Sequence, residues 1–268
     1  MTKQKSLNPV YKILGVRTVQ VSLFALFFTY AFHWPLTGPH ALVLFLTPAL
    51  CIYFVFVFVA RWSWGLPILT HFPTLASEVA LTFDDGPSLE TTSLVLDLLR
   101  NAEVNATFFV LGEAVERHPD LLKRIVAEGH SLGIHAYRHH PFVLLSARAI
   151  QKEICRTREI ICRVCPEAEL TPWLRPPHGF KTLTLVRTAR RSGCRLAAWN
   201  LDSRDYCEEN AEIIARQVLD HLKPGAIILL HDGSENAATV EALPGILSGM
   251  AARGWQSVLL PSLWEPAQ

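Results

Sequence analysis

A chain of 268 residues is long enough for one sizeable core with an appendage, or for two small domains. Half of the residues are hydrophobic and only 18% are charged, which is apolar for a purely soluble enzyme. The formal charge of +1 gives no global basic field for nucleic acid and no acidic one for a cationic partner.

The apolar excess lies at one end. From Thr18 to Ala60 there is no Asp, Glu, Lys or Arg. The stretch divides into 18–34 and 41–60 around Pro35, Gly38, Pro39 and His40, and each half approaches the roughly 20 residues that cross a bilayer as a helix. Pro48 kinks the second span without forbidding it. A cleaved signal peptide competes with this reading, because basic residues precede the first run. No small-x-small cleavage site follows, however, and a second span comes at once. The expectation is a transmembrane helical hairpin over 1–61, a juxtamembrane linker over 62–78 and a catalytic domain over 79–262. Lys3, Lys5, Lys12 and Arg17 precede the first span and Arg61 follows the second, so the positive-inside rule places both ends in the cytoplasm. Trp62 and Trp64 fit an interfacial belt. The chain thus reads as a multi-pass inner-membrane protein in contact with membrane lipids. Five cysteines of the remainder (Cys155, Cys162, Cys165, Cys194, Cys207) form no disulfide framework, which agrees with a cytoplasmic face.

From about Val79 short β runs alternate with amphipathic helical patterns. Strands are expected at 79–84, 106–111, 131–136, 173–176, 195–200, 226–231 and 256–260. Helices are expected at 92–103, 120–128, 147–162, 182–192 and 211–222, where apolar residues recur at three- and four-residue spacing. Pro119 opens one helix, and Gly129, Gly193 and Gly225 follow helical runs where a left-handed cap is wanted. This alternation means an α/β fold with a parallel sheet, open or closed as a barrel.

In such folds reactive groups gather at the carboxyl ends of strands. Five strand ends carry polar chemistry: Asp84-Asp85-Gly86-Pro87, His135 to His139, Arg175-Pro176-Pro177-His178-Gly179, Asp202 to Asp205, and His231-Asp232-Gly233. Two histidines four apart can share one helical face and offer two nitrogens to one metal. A carboxylate completes a three-ligand set that leaves a position open for water. In Asp84-Asp85 one carboxylate can hold the metal while the other takes a proton from a water acidified by it. His231 can protonate the leaving amine, Arg175 can hold the base, and a nearby Asp can orient His231 and raise its pKa.

These residues resemble the polysaccharide deacetylase family, carbohydrate esterase family 4, whose five motifs occur in order from about Val79 to Leu260. The resemblance implies a deformed (β/α) barrel of about seven parallel strands and one divalent metal, commonly Zn2+, with Co2+, Ni2+ or Mn2+ compatible. It implies Asp84 as catalytic base, Asp85, His135 and His139 as metal ligands, Arg175 as the brace of the base, and Asp202 as the residue that tunes the acid His231. It implies Leu229 as lining for the acyl methyl and the His178 backbone N–H as an oxyanion donor. Three departures stand out. Ala136 removes a hydroxyl that orients the second motif, His178 replaces an aromatic, usually Tyr, and Tyr206 replaces a Trp that shapes the groove wall.

Other polar residues have plainer readings. Asp205 either braces the arginine or caps a loop, Asp232 is a turn residue, and His140 neighbours the site. His71, His118, His130 and His221 belong to the surface or to helix ends. The reaction expected is hydrolysis of the amide of an N-acyl amino sugar. With the site facing the cytoplasm, the sugar would be carried on polyprenyl phosphate for an envelope glycan or lipopolysaccharide. This resembles the membrane-bound deformylases and deacetylases of undecaprenyl-phosphate sugars. The alternative is a periplasmic or extracellular deacetylase of peptidoglycan or exopolysaccharide, and a non-catalytic membrane scaffold is more remote, because no ligand or base is missing.

Overall fold

In the computed structural model of the chain, residues 68–261 are described, apart from 169 and 235, together with Leu46 and Leu50. The predicted spans at 18–34 and 41–60 therefore lie outside the described residues, save for those two leucines. Among the described residues no helix is long and apolar enough to cross a membrane. Residues 68–261 belong to one compact unit, Phe56–Gln268.

Strands and helices alternate as the hydrophobic periods demand. The strands are β1 (Ile68–Leu69), β2 (Glu78–Asp84), β3 (Thr107–Leu111), β4 (Ser131–Ala136), β5 (Leu170–Leu174), β6 (Arg195–Ala197), β7 (Leu201–Asp202), β8 (Ala226–His231) and β9 (Gln256–Ser257). The helices are α1 (Thr92–Asn101), α2 (Gly112–Arg117), α3 (Pro119–Ala127), α4 (Ala147–Val164), α5 (Leu183–Arg191), α6 (Ala211–Leu219) and α7 (Ala237–Ala252). All paired strands are parallel, in the order β1-β6-β5-β4-β3-β2-β8-β7, with β9 beside β2. Parallel neighbours need crossovers, and the helices supply them.

The sheet curls into a form that fits a deformed barrel. β6 pairs with β5 and β7 pairs with β8, yet only residues 198–200 separate β6 from β7. One stretch of chain therefore joins the two sides of the ladder. Asn200 secures the passage: its Oδ1 accepts the Ile227 N–H at 2.9 Å.

Side-chain parity along the strands sorts two cores. Ala80, Phe109, Trp173, Ala197 and Ile227 point to the interior and cluster with Leu69, Phe72 and Leu260. Leu81, Phe83, Phe108, Val110, Ile228 and Leu230 point outward and pack with residues of α1, α3, α6 and α7. A third group joins Ile134, Leu174 and Leu196 to Ile150, Ile154, Leu185 and Ala189 of α4 and α5. By the same parity Thr82 and Asp84 stand above Ala80 on the interior face, and Leu229 and His231 stand above Ile227.

Several expectations are corrected. The expected strand at 195–200 is broken into β6 and β7, where the chain crosses from one ladder to the next. The expected strand at 173–176 begins earlier, at Leu170, and ends at Leu174, ahead of Pro176 and Pro177, which have no N–H for a ladder. β1 is an additional short strand against β6. The helices α2 and α7 were not expected: α2 has only six residues, and α7 contains Pro244 and spreads apolar residues around its circumference. Gly129 and Gly193 have positive φ just past α3 and α5, as a helix stop requires. Gly225 also has φ +73, and glycine is required there on a second ground: a Cβ would sit 1.8 Å from the Phe72 carbonyl oxygen.

Candidate active site

The site grows from β2 and β8, whose register pairs Asp84 with His231 across adjacent parallel strands. Both side chains share the interior parity, so two groups 147 positions apart in the chain face one rim. Below them Thr82 is paired with Leu229, and Leu229 is buried on the same face, where it can line the floor.

Arg175 follows β5 into this layer and is completely buried. Its Nη1 donates to Asp84 Oδ1 and to Thr82 Oγ1, both at 2.8 Å, and Nη2 donates to the Ala198 carbonyl at 3.1 Å. Its guanidinium carbon lies 4.1 Å from the centre of the Phe109 ring. Burial lowers its pKa, and the charge and bonding of Asp84 oppose that; a guanidinium is charged throughout the range in which proteins work. Breaking such a buried pair by removing one partner typically costs about 3–5 kcal/mol, because the other charge is left uncompensated.

The chain turns sharply after Asp84. Asp85 has φ +78, a left-handed conformation that Asp tolerates better than most residues, and this brings its carboxylate back toward the rim. Asp232 holds the turn from β8. Its Oδ1 accepts the Gly86 N–H at 3.1 Å, its Oδ2 accepts the Thr92 hydroxyl at 2.6 Å, and its N–H donates to the Asp84 carbonyl at 2.9 Å. Any Cβ at Gly86 would collide with that carboxylate, 2.2 Å away. Burial, partly opposed by the Thr92 bond and reinforced by Asp85 and Asp84, pushes the Asp232 pKa up to about 7. Asp232 is thus a buried structural carboxylate and not the simple turn residue expected.

His135 and His139 do not share a helix. His135 is on β4 and His139 lies in the loop beyond it, and the turn between them brings both rings to Asp85. Asp85 Oδ1 lies 3.3 Å from His135 Nε2 and 3.2 Å from His139 Nε2, and ligand atoms of the three residues all fall within 4.8 Å of one another. Asp85 Oδ1 and His135 Nδ1 have no hydrogen-bond partner. Burial raises the Asp85 pKa, but the approach of His135, with further charge from His139 and His231, holds it well below the usual carboxylate range. Burial pulls His139 down to about 4 against the opposing pull of Asp85. An ionised carboxylate oxygen between two imidazole nitrogens, with buried polar atoms unpaired, is a donor set that fits a divalent cation.

Across the rim, the carboxylate on His231 is Asp205, not Asp202. Asp205 Oδ1 lies 2.7 Å from His231 Nδ1, while its Oδ2 accepts the His231 backbone N–H at 2.7 Å and the Thr239 hydroxyl at 2.6 Å. Asp202 is occupied locally: it accepts from the Arg204 N–H at 2.9 Å and from the Tyr206 hydroxyl at 3.4 Å. Both aspartates belong to one motif three residues apart, and only the turn at Arg204, with φ +64, decides which faces β8. Burial lowers the His231 pKa, but Asp205 outweighs it through bonding and charge, aided by Asp84 and Asp85, and lifts it to about 9. Tyr206 is more than half exposed and sets its ring edge-on to His231 at 5.7 Å. His178 has φ +60, and its exposed ring lies 4.5 Å from His139.

The comparisons with known proteins agree with this construction. Residues 73–197 match the family model described as polysaccharide deacetylase. A peptidoglycan-N-acetylglucosamine deacetylase of Bacillus cereus is 35% identical over 198 residues, which cover 73% of this chain and 71% of the relative. A chitooligosaccharide deacetylase of Rhizobium leguminosarum bv. trifolii is 35% identical over 195 residues, 68% of this chain and 90% of the relative. A crystal structure of a peptidoglycan N-acetylglucosamine deacetylase, in complex with an N-hydroxybenzamide, superposes with TM-score 0.71 at 33% identity, over 77% of this chain and 97% of that one. The chain therefore belongs to the polysaccharide deacetylase family, carbohydrate esterase family 4. As a member it is a carbohydrate N-deacetylase, a hydrolase of linear amides from a metal-dependent family.

The Asp205 contact has a direct consequence for titration. A histidine pKa raised above the unfolded value of 6.5 adds stability that is complete below pH 6.5 and is lost as pH rises through about 9. In metal-free protein, Asp205→Asn should drop the His231 midpoint, followed by imidazole NMR, well below about 9, since burial is then opposed only by the charges of Asp84 and Asp85. Asp202→Asn should leave it near 9; the reverse pattern would restore Asp202 as the partner.

Proposed function

We propose that the chain hydrolyses the N-acetyl group of N-acetylglucosamine units in a glycan of the peptidoglycan or chitooligosaccharide type. The observation that carries this reading is the opposition of a braced carboxylate, Asp84, to a charged imidazole, His231, above the Asp85–His135–His139 donor set, on a chain whose relatives bear those names. Asp85, His135 and His139 would hold one divalent metal, which supplies Lewis acidity toward the carbonyl and the attacking water. Asp84 takes the proton from that water, with Arg175 fixing its orientation and Thr82 accepting a second bond from the same arginine nitrogen. His231 is protonated at neutral pH and can give its proton to the departing amine, and Asp205 stabilises the imidazolium until then. The His178 backbone N–H is the candidate donor to the oxyanion, and Leu229 the candidate wall for the methyl group. Tyr206 offers an exposed aromatic face to a sugar ring.

A second reading draws on the uncharged run from Thr18 to Ala60 and the basic residues that flank it. We propose that this run anchors the chain in the inner membrane. On the positive-inside rule the catalytic unit then faces the cytoplasm, where the available substrate is an N-acyl amino sugar on a polyprenyl phosphate.

Acetate or formate release from three substrates decides between them: peptidoglycan strands, N-acetylglucosamine oligomers, and a polyprenyl-phosphate N-acyl amino sugar. Activity on the glycans that falls at least about 100-fold in Asp84→Asn supports the first reading. The same activity should vanish with a chelator and return with Zn2+. Release from the lipid-linked sugar alone would overturn it in favour of the second. Topology has its own test: alkaline phosphatase fused to the C-terminus should be inactive under the second reading, and an active fusion would remove its cytoplasmic site.

A further inference from the structure

The imidazoles of the donor set need a fixed direction, and His135 does not receive it from a side chain. His135 Nδ1, the ring nitrogen not facing Asp85, has no hydrogen-bond partner. Metal-binding histidines are ordinarily oriented by a bond to that second nitrogen, so the direction must come through the backbone. For His135 the β4 ladder provides it. His139 lies three residues beyond the end of β4, past Ala136, whose methyl offers no hydroxyl to hold the turn.

The peptide groups between the two histidines are gripped from outside. Glu153, in the second turn of α4, accepts the Tyr137 N–H at 3.0 Å and the Arg138 N–H at 2.8 Å on one oxygen, Oε2. The Tyr137 carbonyl accepts the N–H of Glu113, near the start of α2, at 3.0 Å. The Tyr137 ring is fixed as well, with its hydroxyl 2.9 Å from Glu116 and the Arg156 guanidinium 3.5 Å from its centre. The Arg138 side chain is exposed, with only a long ion pair to Glu113 at 3.8 Å and the Tyr137 ring at 5.7 Å, and its carbonyl accepts the His140 N–H at 2.7 Å, so Glu153 is the side chain that takes its N–H. The helix that carries Glu153 is itself pinned to the sheet by Ile150 and Ile154.

We propose that Glu153 is a positioning residue for the metal site: by binding two successive N–H groups between His135 and His139, it fixes the turn that aims His139 at Asp85. The inference rests on the reading of Asp85, His135 and His139 as metal ligands. It assigns to a side chain outside all five motifs the work that Ala136 cannot do.

The test is Zn2+ binding to the metal-stripped full chain, by competition with a chromophoric chelator, for the wild type, Glu153→Ala and Glu153→Gln. Glu153→Ala should weaken Zn2+ binding about tenfold, in addition to whatever melting temperature the metal-free protein loses with two N–H groups left unpaired. Glu153→Gln, whose amide oxygen can accept the same two N–H groups, should recover most of the affinity. Equal affinity in wild type and Glu153→Ala would overturn the inference, and so would a loss of metal-free stability with Zn2+ affinity unchanged, which marks a merely structural residue. A wild type that binds no stoichiometric Zn2+ would instead remove the metal reading on which the inference stands.

Discussion

A full positive charge buried inside the barrel is the constraint from which the site follows. Arg175 is entirely shielded from water, and a guanidinium there is tolerable only with acceptors for its donors and a negative charge beside it. Thr82, Asp84 and the Ala198 carbonyl take the two terminal nitrogens and leave Nε without a partner, and they come from β2 and from the passage between β6 and β7. The arginine therefore ties three parts of the ladder together at the level where the chemistry starts. Asp84 in turn cannot rotate away without stranding the charge, so the candidate base is oriented by the same electrostatics that hold the fold.

The two sides of the rim are built differently. Asp84 and His231 sit at the ends of long paired strands, where the ladder fixes direction to within a rotamer. The donor set depends on turns: Asp85 on a left-handed residue clamped by Asp232, and His139 on a loop held by Glu153. Carboxyl groups recur as the clamps because a turn exposes N–H groups that no ladder satisfies, and the oxygens of one carboxyl group can accept several donors at once. Asp205 does the same for His231, taking its ring, its backbone N–H and the Thr239 hydroxyl on two oxygens.

Much of this was legible in the sequence. The short β runs located β2, β3, β4 and β8, and the polar residues at their carboxyl ends marked the rim, because in a parallel sheet those ends share one side. The choice between Asp202 and Asp205 was not legible. It depends on one left-handed residue, Arg204, and arginine carries no sign that it will adopt that conformation. Asp232 was hidden for a related reason: in His231-Asp232-Gly233 the Asp-Gly pair looks like an ordinary turn, and only the approach of Gly86 from another strand reveals a buried carboxylate. Glu153 lies on an amphipathic helix where a charged residue is expected in any case. The helix α7 escaped because Pro244 and Gly245 mask its period.

Asp85, His135 and His139 bring their ligand atoms within 4.8 Å of one another, a donor set for one cation at the barrel rim beside Asp84 and His231. Anomalous diffraction from crystals soaked in Zn2+, recorded at the zinc edge, tests it most directly. A single strong peak is expected about 2.0–2.2 Å from Asp85 and from both imidazoles. A peak that leaves out any of the three, or that sits elsewhere on the chain, would contradict it.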